Sequence, residues 1–282
     1  MEVTLGEGNT PLLPAPRLSE RLGCELWLKW EGANPTGSFK DRGMTVAVSR
    51  ALERGAPGVV CASTGNTAAS AAAYAARAGL PAVIAIPKGA VARGKLAQVL
   101  AVGADLREVD GTFEEAHALA RRLAEDEGLV NVNSINPDRI EGQATAAREI
   151  VVQLGGIPDV LALPYGGGGN TVAYARGFEE AGAGTPRLIS VQSAQRDQTV
   201  ATAIRISAPV HREQAEGLTE VVTVDDDALL DWWRAVARLE GLFCEPASAA
   251  GVAGVAQLRS GGRVVCVLTG HGLKDPDAAE RL

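Results

Sequence analysis

The chain has 282 residues, 46% of them hydrophobic, which is enough for a large buried core in one big domain or two closely joined ones. Its formal net charge is −7 and it contains no basic run, which argues against a nucleic-acid-binding surface. Four cysteines lie far apart, and three histidines are too few for a zinc-type cluster. The first residues lack a signal-peptide pattern, and the uncharged stretch 55–76 is broken by Pro, Ser and Gly, so we expect a cytoplasmic protein without a membrane span.

Short apolar runs alternate with helical patterns along the chain, which predicts parallel sheets flanked by helices. The predicted strands are 59–62, 82–86, 106–109, 160–163, 188–192, 221–224 and 264–268. The predicted helices are 44–52, one ending near 79, 96–102, 113–124, 144–154, 171–180, 229–239 and 248–258. No obvious linker separates two halves, so any domain division must be intertwined. Cys61 and Cys266 lie in strand-like runs and are expected to be buried, reduced thiols.

Lys40 lies at the end of a Pro/Gly turn, in a run that reads NPTGSFKDRG (34–43). An apolar helical stretch follows, so this lysine is expected at a helix N-terminus, where the positive end of the macrodipole disfavours its ammonium form. Such a lysine can condense with a carbonyl to form a Schiff base. Most isolated lysines are solvated surface residues, so this interpretation depends on three further segments.

The first of these segments is a polar turn between a predicted strand and an alanine-rich helix. It consists of Ser63, Thr64, Gly65, Asn66 and Thr67. The free N–H groups of a helix start, together with several hydroxyls, favour a carboxylate or phosphate site. Ordinary helix capping is the alternative, but capping requires only one such residue.

The second and third segments also follow predicted strands. Gly166, Gly167, Gly168, Gly169 and Asn170 form a glycine loop whose backbone could wrap a single phosphate; the GxGxxG spacing of dinucleotide sites is not met. Thr269 follows the last strand, where its hydroxyl could bond the ring nitrogen of pyridoxal phosphate (PLP). One further segment, 89–95, matches part of a nucleotide P-loop. Leu96 stands where a magnesium-binding Ser or Thr is required, so we reject that match and predict Lys95 on a helix surface.

Taken together, these motifs resemble the threonine synthase family of PLP enzymes. The matching segments are GEGNTPL (6–12), NPTGSFKDRG (34–43), CASTGNTAASAAAYAARAG (61–79), NSINPDRIEGQ (133–143), ATAIRI (201–206), EPASAAG (245–251) and LTGHGLKDP (268–276). They follow the family order and span most of the chain. Threonine and serine dehydratases share the lysine and the Asn66 loop but do not usually carry NPxRxEGQ or TGHGLKDP.

The resemblance implies an α/β fold of type II among PLP enzymes, with two intertwined three-layer αβα domains and twisted, mostly parallel sheets. It implies a large PLP-binding domain formed by 1–40 plus 141–282, and a small domain formed by 41–140. It also implies a cytoplasmic homodimer that converts O-phosphohomoserine and water to L-threonine and phosphate.

The resemblance further implies roles for individual residues. Lys40 forms the Schiff base and shuttles protons, Asn66 bonds the phenolate oxygen of PLP, and Thr269 faces its ring nitrogen. The cofactor phosphate is assigned to Gly166, Gly167, Gly168, Gly169 and Asn170. The substrate carboxylate is assigned to Ser63, Thr64, Asn66 and Thr67, and the substrate phosphate to Ser134, Asn136 and Arg139. For Arg139 alone, a surface ion pair with Asp138 or Glu141 is the alternative.

Two departures from the family keep other functions open. Gly167 replaces a usual asparagine of the phosphate loop, and the chain is shortened around 193–198 and 209–218, on the expected substrate side. The alternatives are a PLP-dependent threonine/serine dehydratase or related elimination enzyme, and a regulatory protein that retains PLP without turnover. A nicotinamide-dependent oxidoreductase is disfavoured, because the GxGxxG spacing fails and no acidic ribose partner is evident.

Overall fold

The computed structural model describes residues 2–89 and 96–281. The strands are β1 Leu12–Pro14, β2 Glu25–Trp30, β3 Val59–Ala62, β4 Ala82–Pro87, β5 Asp105–Val109, β6 Val130–Asn131, β7 Val160–Pro164, β8 Arg187–Ser193, β9 Glu220–Val224 and β10 Arg263–Leu268. The helices are α1 Pro16–Leu22, α2 Lys40–Glu53, α3 Asn66–Ala78, α4 Ala97–Ala101, α5 Phe113–Glu127, α6 Asp138–Leu154, α7 Gly169–Ala181, α8 Arg212–Glu216, α9 Asp226–Glu240 and α10 Ala250–Leu258. Apart from Gly89, the rejected P-loop match, with Lys95, lies outside the described residues.

The described chain divides into two compact units. Unit 1 comprises Met1–Gly8, Asn34–Thr36 and Lys40–Gly142, and unit 2 comprises Asn9–Ala33, Gly37–Phe39 and Gln143–Leu282. Each unit contains one sheet. This α/β architecture with mainly parallel strands confirms the fold class expected from the alternation of strands and helices.

Unit 1 is built on a four-stranded parallel sheet in the order β5-β4-β3-β6. Both faces of this sheet are covered, because alternate residues of β3 belong to different hydrophobic clusters. Val59 and Cys61 pack in the cluster that contains residues of α2 and α3, whereas Val60 and Ala62 pack in the cluster that contains residues of α5. A strand covered on both faces is apolar throughout, which explains why its sequence predicts it well.

Unit 2 is built on a six-stranded sheet in the order β1-β2-β10-β7-β8-β9, in which β1 pairs antiparallel and the other pairs are parallel. Leu161 and Leu163 of β7 pack on one face with residues of α6 and α7. Val160 and Ala162 pack on the other face with residues of α9 and α10. The carboxyl ends of these parallel strands carry the loops at 165–168 and 269–271.

All seven predicted strands are confirmed to within one residue at either end. Three elements near the N-terminus, β1, α1 and β2, were not predicted. The helix expected at 144–154 begins six residues earlier, at Asp138, where Asn136 Oδ1 accepts the Asp138 N–H at 2.9 Å. The helix expected at 248–258 instead opens with a 3₁₀ turn, Pro246–Ala249. Cys61, Cys244 and Cys266 are buried free thiols, which confirms the expectation for Cys61 and Cys266. Among the described residues, no helix has the length and apolar character needed to cross a membrane.

Candidate active site

Lys40 is the first residue of α2, as its sequence position predicts, and its side chain is half-buried. The neighbouring carboxylate of Asp41 is completely buried and organises the turn before it. Asp41 Oδ2 accepts the Thr36 N–H at 2.7 Å, and Oδ1 accepts the hydroxyls of Thr36 and Ser70, each at 2.6 Å. Because Ser70 lies one turn into α3, Asp41 ties the start of the lysine helix to the helix that begins at Asn66.

The side chains of the polar turn before α3 do not cap this helix. The N-cap position is Gly65, and no side chain caps this helix; Ser63 Oγ accepts only the Gly65 N–H, at 3.2 Å. No side chain therefore caps the first helical turn, which is the part of a helix that binds anions. This geometry favours the anion-binding interpretation of Ser63, Thr64, Asn66 and Thr67 over the capping one.

Asn133 holds the end of β3 immediately before this turn. Its Oδ1 accepts the Ala62 N–H and its Nδ2 donates to the Ala62 carbonyl, both at 2.9 Å, as a strand neighbour would. The side chain of Asn136 bonds the backbone of its own segment. Its amide donates to the Asn131 carbonyl at 3.1 Å, and its oxygen accepts the N–H of Asp138. Ser134 lies between them and is half-buried. A phosphate contact from Asn136 stays a prediction.

Arg139 is buried in unit 1, with 2% of its surface exposed. Its Nη1 donates to the Val132 carbonyl at 3.3 Å, but its Nε has no hydrogen-bond partner among the described residues. Burial lowers the pKa of this guanidinium to about 10, so it is charged at neutral pH. Burial also raises the pKa of the Cys61 thiol to about 12, so that group stays neutral and does not compensate the charge.

The surface ion pair considered for Arg139 is wrong. Arg50 takes both carboxylates instead: its Nη1 lies 2.5 Å from Asp138 Oδ1, and its Nη2 lies 2.8 Å from the Glu141 carboxylate. The Arg139 side chain is thus a buried cation with incomplete compensation. Such a group is costly unless an anion joins it.

Gly142, the glycine of NPxRxEGQ, is required by close backbone contact. A Cβ at this position would lie 1.9 Å from the Arg42 carbonyl oxygen and 2.9 Å from the Gly43 Cα. We expect Gly142→Ala to lower the free energy of unfolding by about 2 kcal/mol, because backbone atoms of α2 must move to admit one methyl group. Denaturant unfolding measures this change. The control is Gly261→Ala, whose Cβ would meet nothing within 4 Å. Equal stability of the two variants would contradict the expected clash.

The glycine loop in unit 2 leads directly into α7. Its N-cap, Gly168, has φ +84°, a conformation that favours glycine, and no side chain caps the helix. Asn170 Nδ2 is buried and has no hydrogen-bond partner among the described residues. Uncapped N–H groups with an unsatisfied amide beside them fit a phosphate group. The loop therefore suits the phosphate of PLP, as the sequence predicts.

Thr269 follows β10, and its hydroxyl is held by a second buried hydroxyl. Ser248 Oγ lies 3.1 Å from Thr269 Oγ1 and accepts the Gly270 N–H at 3.0 Å. The Thr269 carbonyl accepts the Phe39 N–H at 3.0 Å. A Cβ on Gly270 would lie 1.5 Å from a carboxylate oxygen of Glu245, so a larger residue here would require the Glu245 side chain to move. The hydroxyl is thus fixed in position, as a group that bonds a ring nitrogen must be.

Sequence reasoning missed three supporting residues. Asp41, Asn133 and Ser248 all lie inside the quoted motifs, but their residue types suggested no chemistry of their own. Each makes at least one hydrogen bond to a residue 21 or more positions away in the chain, and no local pattern encodes that partner.

Comparison with known proteins gives a consistent result. Residues 3–270 match the family model described as pyridoxal-phosphate dependent enzyme. Threonine synthase of Synechocystis is 50% identical over 304 aligned residues, covering 98% of this chain and 80% of that protein. Threonine synthase of Methanocaldococcus jannaschii is 44% identical over 318 residues, covering 99% and 78%. Both alignments are longer than the 282-residue chain, so both relatives contain internal residues without counterparts here.

A solved structure supports the fold. The processed form of threonine deaminase isoform 2 from Solanum lycopersicum superposes with a TM-score of 0.85 at 25% identity, covering 96% of this chain and 81% of that one. A family match over most of the chain and relatives near half identity agree with the motifs and with the local geometry above. The chain therefore belongs to the pyridoxal-phosphate dependent enzyme family, among the threonine synthases.

Proposed function

We propose that this protein converts O-phosphohomoserine and water to L-threonine and phosphate. The observation that carries the substrate assignment is the buried guanidinium of Arg139, whose Nε lacks a hydrogen-bond partner among the described residues. A phosphate dianion would compensate this charge, and the planar guanidinium would offer it a fixed fork of donors. A dehydratase acting on free threonine or serine has no phosphate to place there.

The cofactor, PLP, supplies an electron sink for carbanions formed on the amino acid. Lys40 would hold it covalently, and the Lys40 Nζ would be the base that moves protons. Asn66 would bond its phenolate oxygen, Thr269 would face its ring nitrogen, and the loop from Gly166 to Asn170 would bind its phosphate. Asp41 and Ser248 keep Lys40 and Thr269 in position through the hydrogen bonds described above.

The substrate is held at its two charged ends. Ser63, Thr64, Asn66 and Thr67 bind its carboxylate with hydroxyls, an amide and the N–H groups of the first turn of α3. Arg139, Ser134 and Asn136 are assigned to its phosphate, and Asn136 also fixes the start of α6. The Lys40 amine removes protons from the α and β carbons. Phosphate leaves the γ carbon with the electron pair of the C–O bond, and the γ carbon takes up a proton. Water supplies the hydroxyl of the β carbon, and the α carbon regains its proton.

Two substrates supplied separately test this proposal. With O-phosphohomoserine we expect equal amounts of phosphate and threonine, and with threonine alone we expect no 2-oxobutanoate. Formation of 2-oxobutanoate without any phosphate release would instead identify a threonine dehydratase. A protein that binds PLP and converts neither compound would fit a regulatory role.

We also propose that the enzyme is a cytoplasmic homodimer. The family resemblance supports this assignment. Light scattering on the purified holoenzyme measures its mass directly, and a mass near 29.1 kDa, that of one chain, would contradict the dimer.

A further inference from the structure

His211 lies against the glycine loop of unit 2, although it belongs to none of the quoted motifs. Its backbone N–H donates to the Gly167 carbonyl at 3.0 Å. A Cβ on Gly168 would lie 3.1 Å from the His211 carbonyl oxygen and 3.2 Å from its Cβ. His211, the residue just before α8, is thus hydrogen-bonded to and packed against the loop that leads into α7.

The imidazole edge faces the first residue of α7. A Cβ on Gly169 would lie 3.3 Å from Cδ2 of His211 and 3.6 Å from its Nε2. The absence of a side chain at Gly169 therefore makes room for the ring beside the first helical turn. At this turn, the uncapped N–H groups are available to an anion.

Two arginines near His211 in the chain have partners of their own. Arg205 donates from Nε and Nη2 to the Thr199 carbonyl, at 3.1 and 2.5 Å. Arg212 is exposed and pairs with Glu216 at 3.1 Å. The loop itself supplies no side-chain donor before Asn170. Because its ring lies beside Gly169, His211 is well placed to add a donor to an anion held at the start of α7.

We propose that His211 is a further ligand of the phosphate bound by residues 166–170, and that this phosphate belongs to the cofactor. This inference rests on the proposed function, which assigns PLP to the loop. An imidazole N–H contributes a side-chain hydrogen bond to a dianion that backbone amides otherwise bind. The shortened segment around 209–218 is thereby part of the cofactor site.

Reconstitution of the full-length apoenzyme with PLP and with pyridoxal, which lacks the phosphate, tests this inference. We expect His211→Ala to weaken PLP about tenfold, the effect of losing one hydrogen bond to a charged group, and to leave pyridoxal unchanged. His211→Gln, which retains an N–H donor, should recover most of the loss. The ³¹P resonance of bound PLP should shift in His211→Ala. The control is Arg212→Gln, the adjacent exposed residue, which should alter neither affinity nor resonance.

The outcomes separate the two proposals. If the wild-type protein binds PLP no better than pyridoxal, the loop is not a cofactor-phosphate site and both proposals are overturned. If the wild type prefers PLP and His211→Ala retains the full preference, only the role of His211 is overturned. The same holds if the variant raises the KM for O-phosphohomoserine and leaves PLP affinity unchanged, because His211 would then serve the substrate. Circular dichroism of each apoenzyme checks that the variants fold; the backbone bond from residue 211 is retained in all of them.

Discussion

Replacement of Lys40 by alanine is expected to abolish the absorbance of the covalently bound cofactor and to reduce turnover by about a thousandfold or more. The physical reason is that the proposed mechanism gives one amine two tasks: it holds PLP as a Schiff base, and it then moves the protons that the reaction requires. Non-covalent PLP can still occupy the variant through its phosphate, so the loss of activity should exceed the loss of cofactor affinity.

The chain makes this prediction easy to check, because it contains only five lysines. Borohydride reduction of the holoenzyme followed by peptide mapping should place the label on Lys40. The matched control is Lys88→Ala, since Lys88 is exposed and lies 3.6 Å from Asp110. The Lys88→Ala variant should retain the absorbance of the bound cofactor and normal turnover. A label on any other lysine, or normal turnover in the Lys40 variant, would remove the basis of the proposed mechanism.

Arg139→Met is expected to raise the KM for O-phosphohomoserine about a hundredfold while changing the affinity for PLP less than about threefold. The substitution removes a buried charge but keeps most of the side-chain volume. Because that charge is incompletely compensated in the free protein, we expect unfolding stability to stay the same or to rise. Steady-state kinetics, PLP titration and denaturant unfolding measure the three quantities.

Arg50→Met provides the opposite control. Arg50 is partly exposed and pairs with Asp138 and Glu141. These two carboxylates flank Arg139 in the sequence, at the start of α6. Its loss should cost about 1 kcal/mol or less of stability and leave the KM unchanged. Arg139 would be assigned a structural role if its variant lost stability and kept the wild-type KM, or if substrate and PLP affinity fell equally.

The regular elements could be predicted well where they are buried on both sides. Strands such as β3 and β7 are continuous apolar runs, because each parallel strand is covered on both faces by helices. The N-terminal strands were missed since β1 is only three residues long and β2 mixes Glu25, Lys29 and two tryptophans with its apolar positions. Lys29 is nevertheless buried, because Glu149 and Gln153 pair with its ammonium group from 120 or more residues away.

In the candidate site, too, local features were predicted from the sequence and long-range contacts were not. The sequence predicted that α2 begins at Lys40 and that the polar turn and the glycine loop each lead into a helix, since strand–turn–helix order and glycine content are local properties of the chain. The anion-binding roles of these turns and the role of Thr269 stay predictions. The sequence did not predict that Asn136 would bond its own segment, nor that Arg139 would be buried while Arg50 takes Asp138 and Glu141.

The sequence by itself thus determined the strand–helix alternation, the family motifs and the types of chemistry available. Only the tertiary structure decided which polar side chains are already paired and which retain an open donor, as with the Nε of Arg139 and the Nδ2 of Asn170. It also decided that His211 lies on the glycine loop. The physical reason is range: apolar periodicity is set by neighbouring residues, whereas the pairing of a buried polar group depends on contacts between distant parts of the chain.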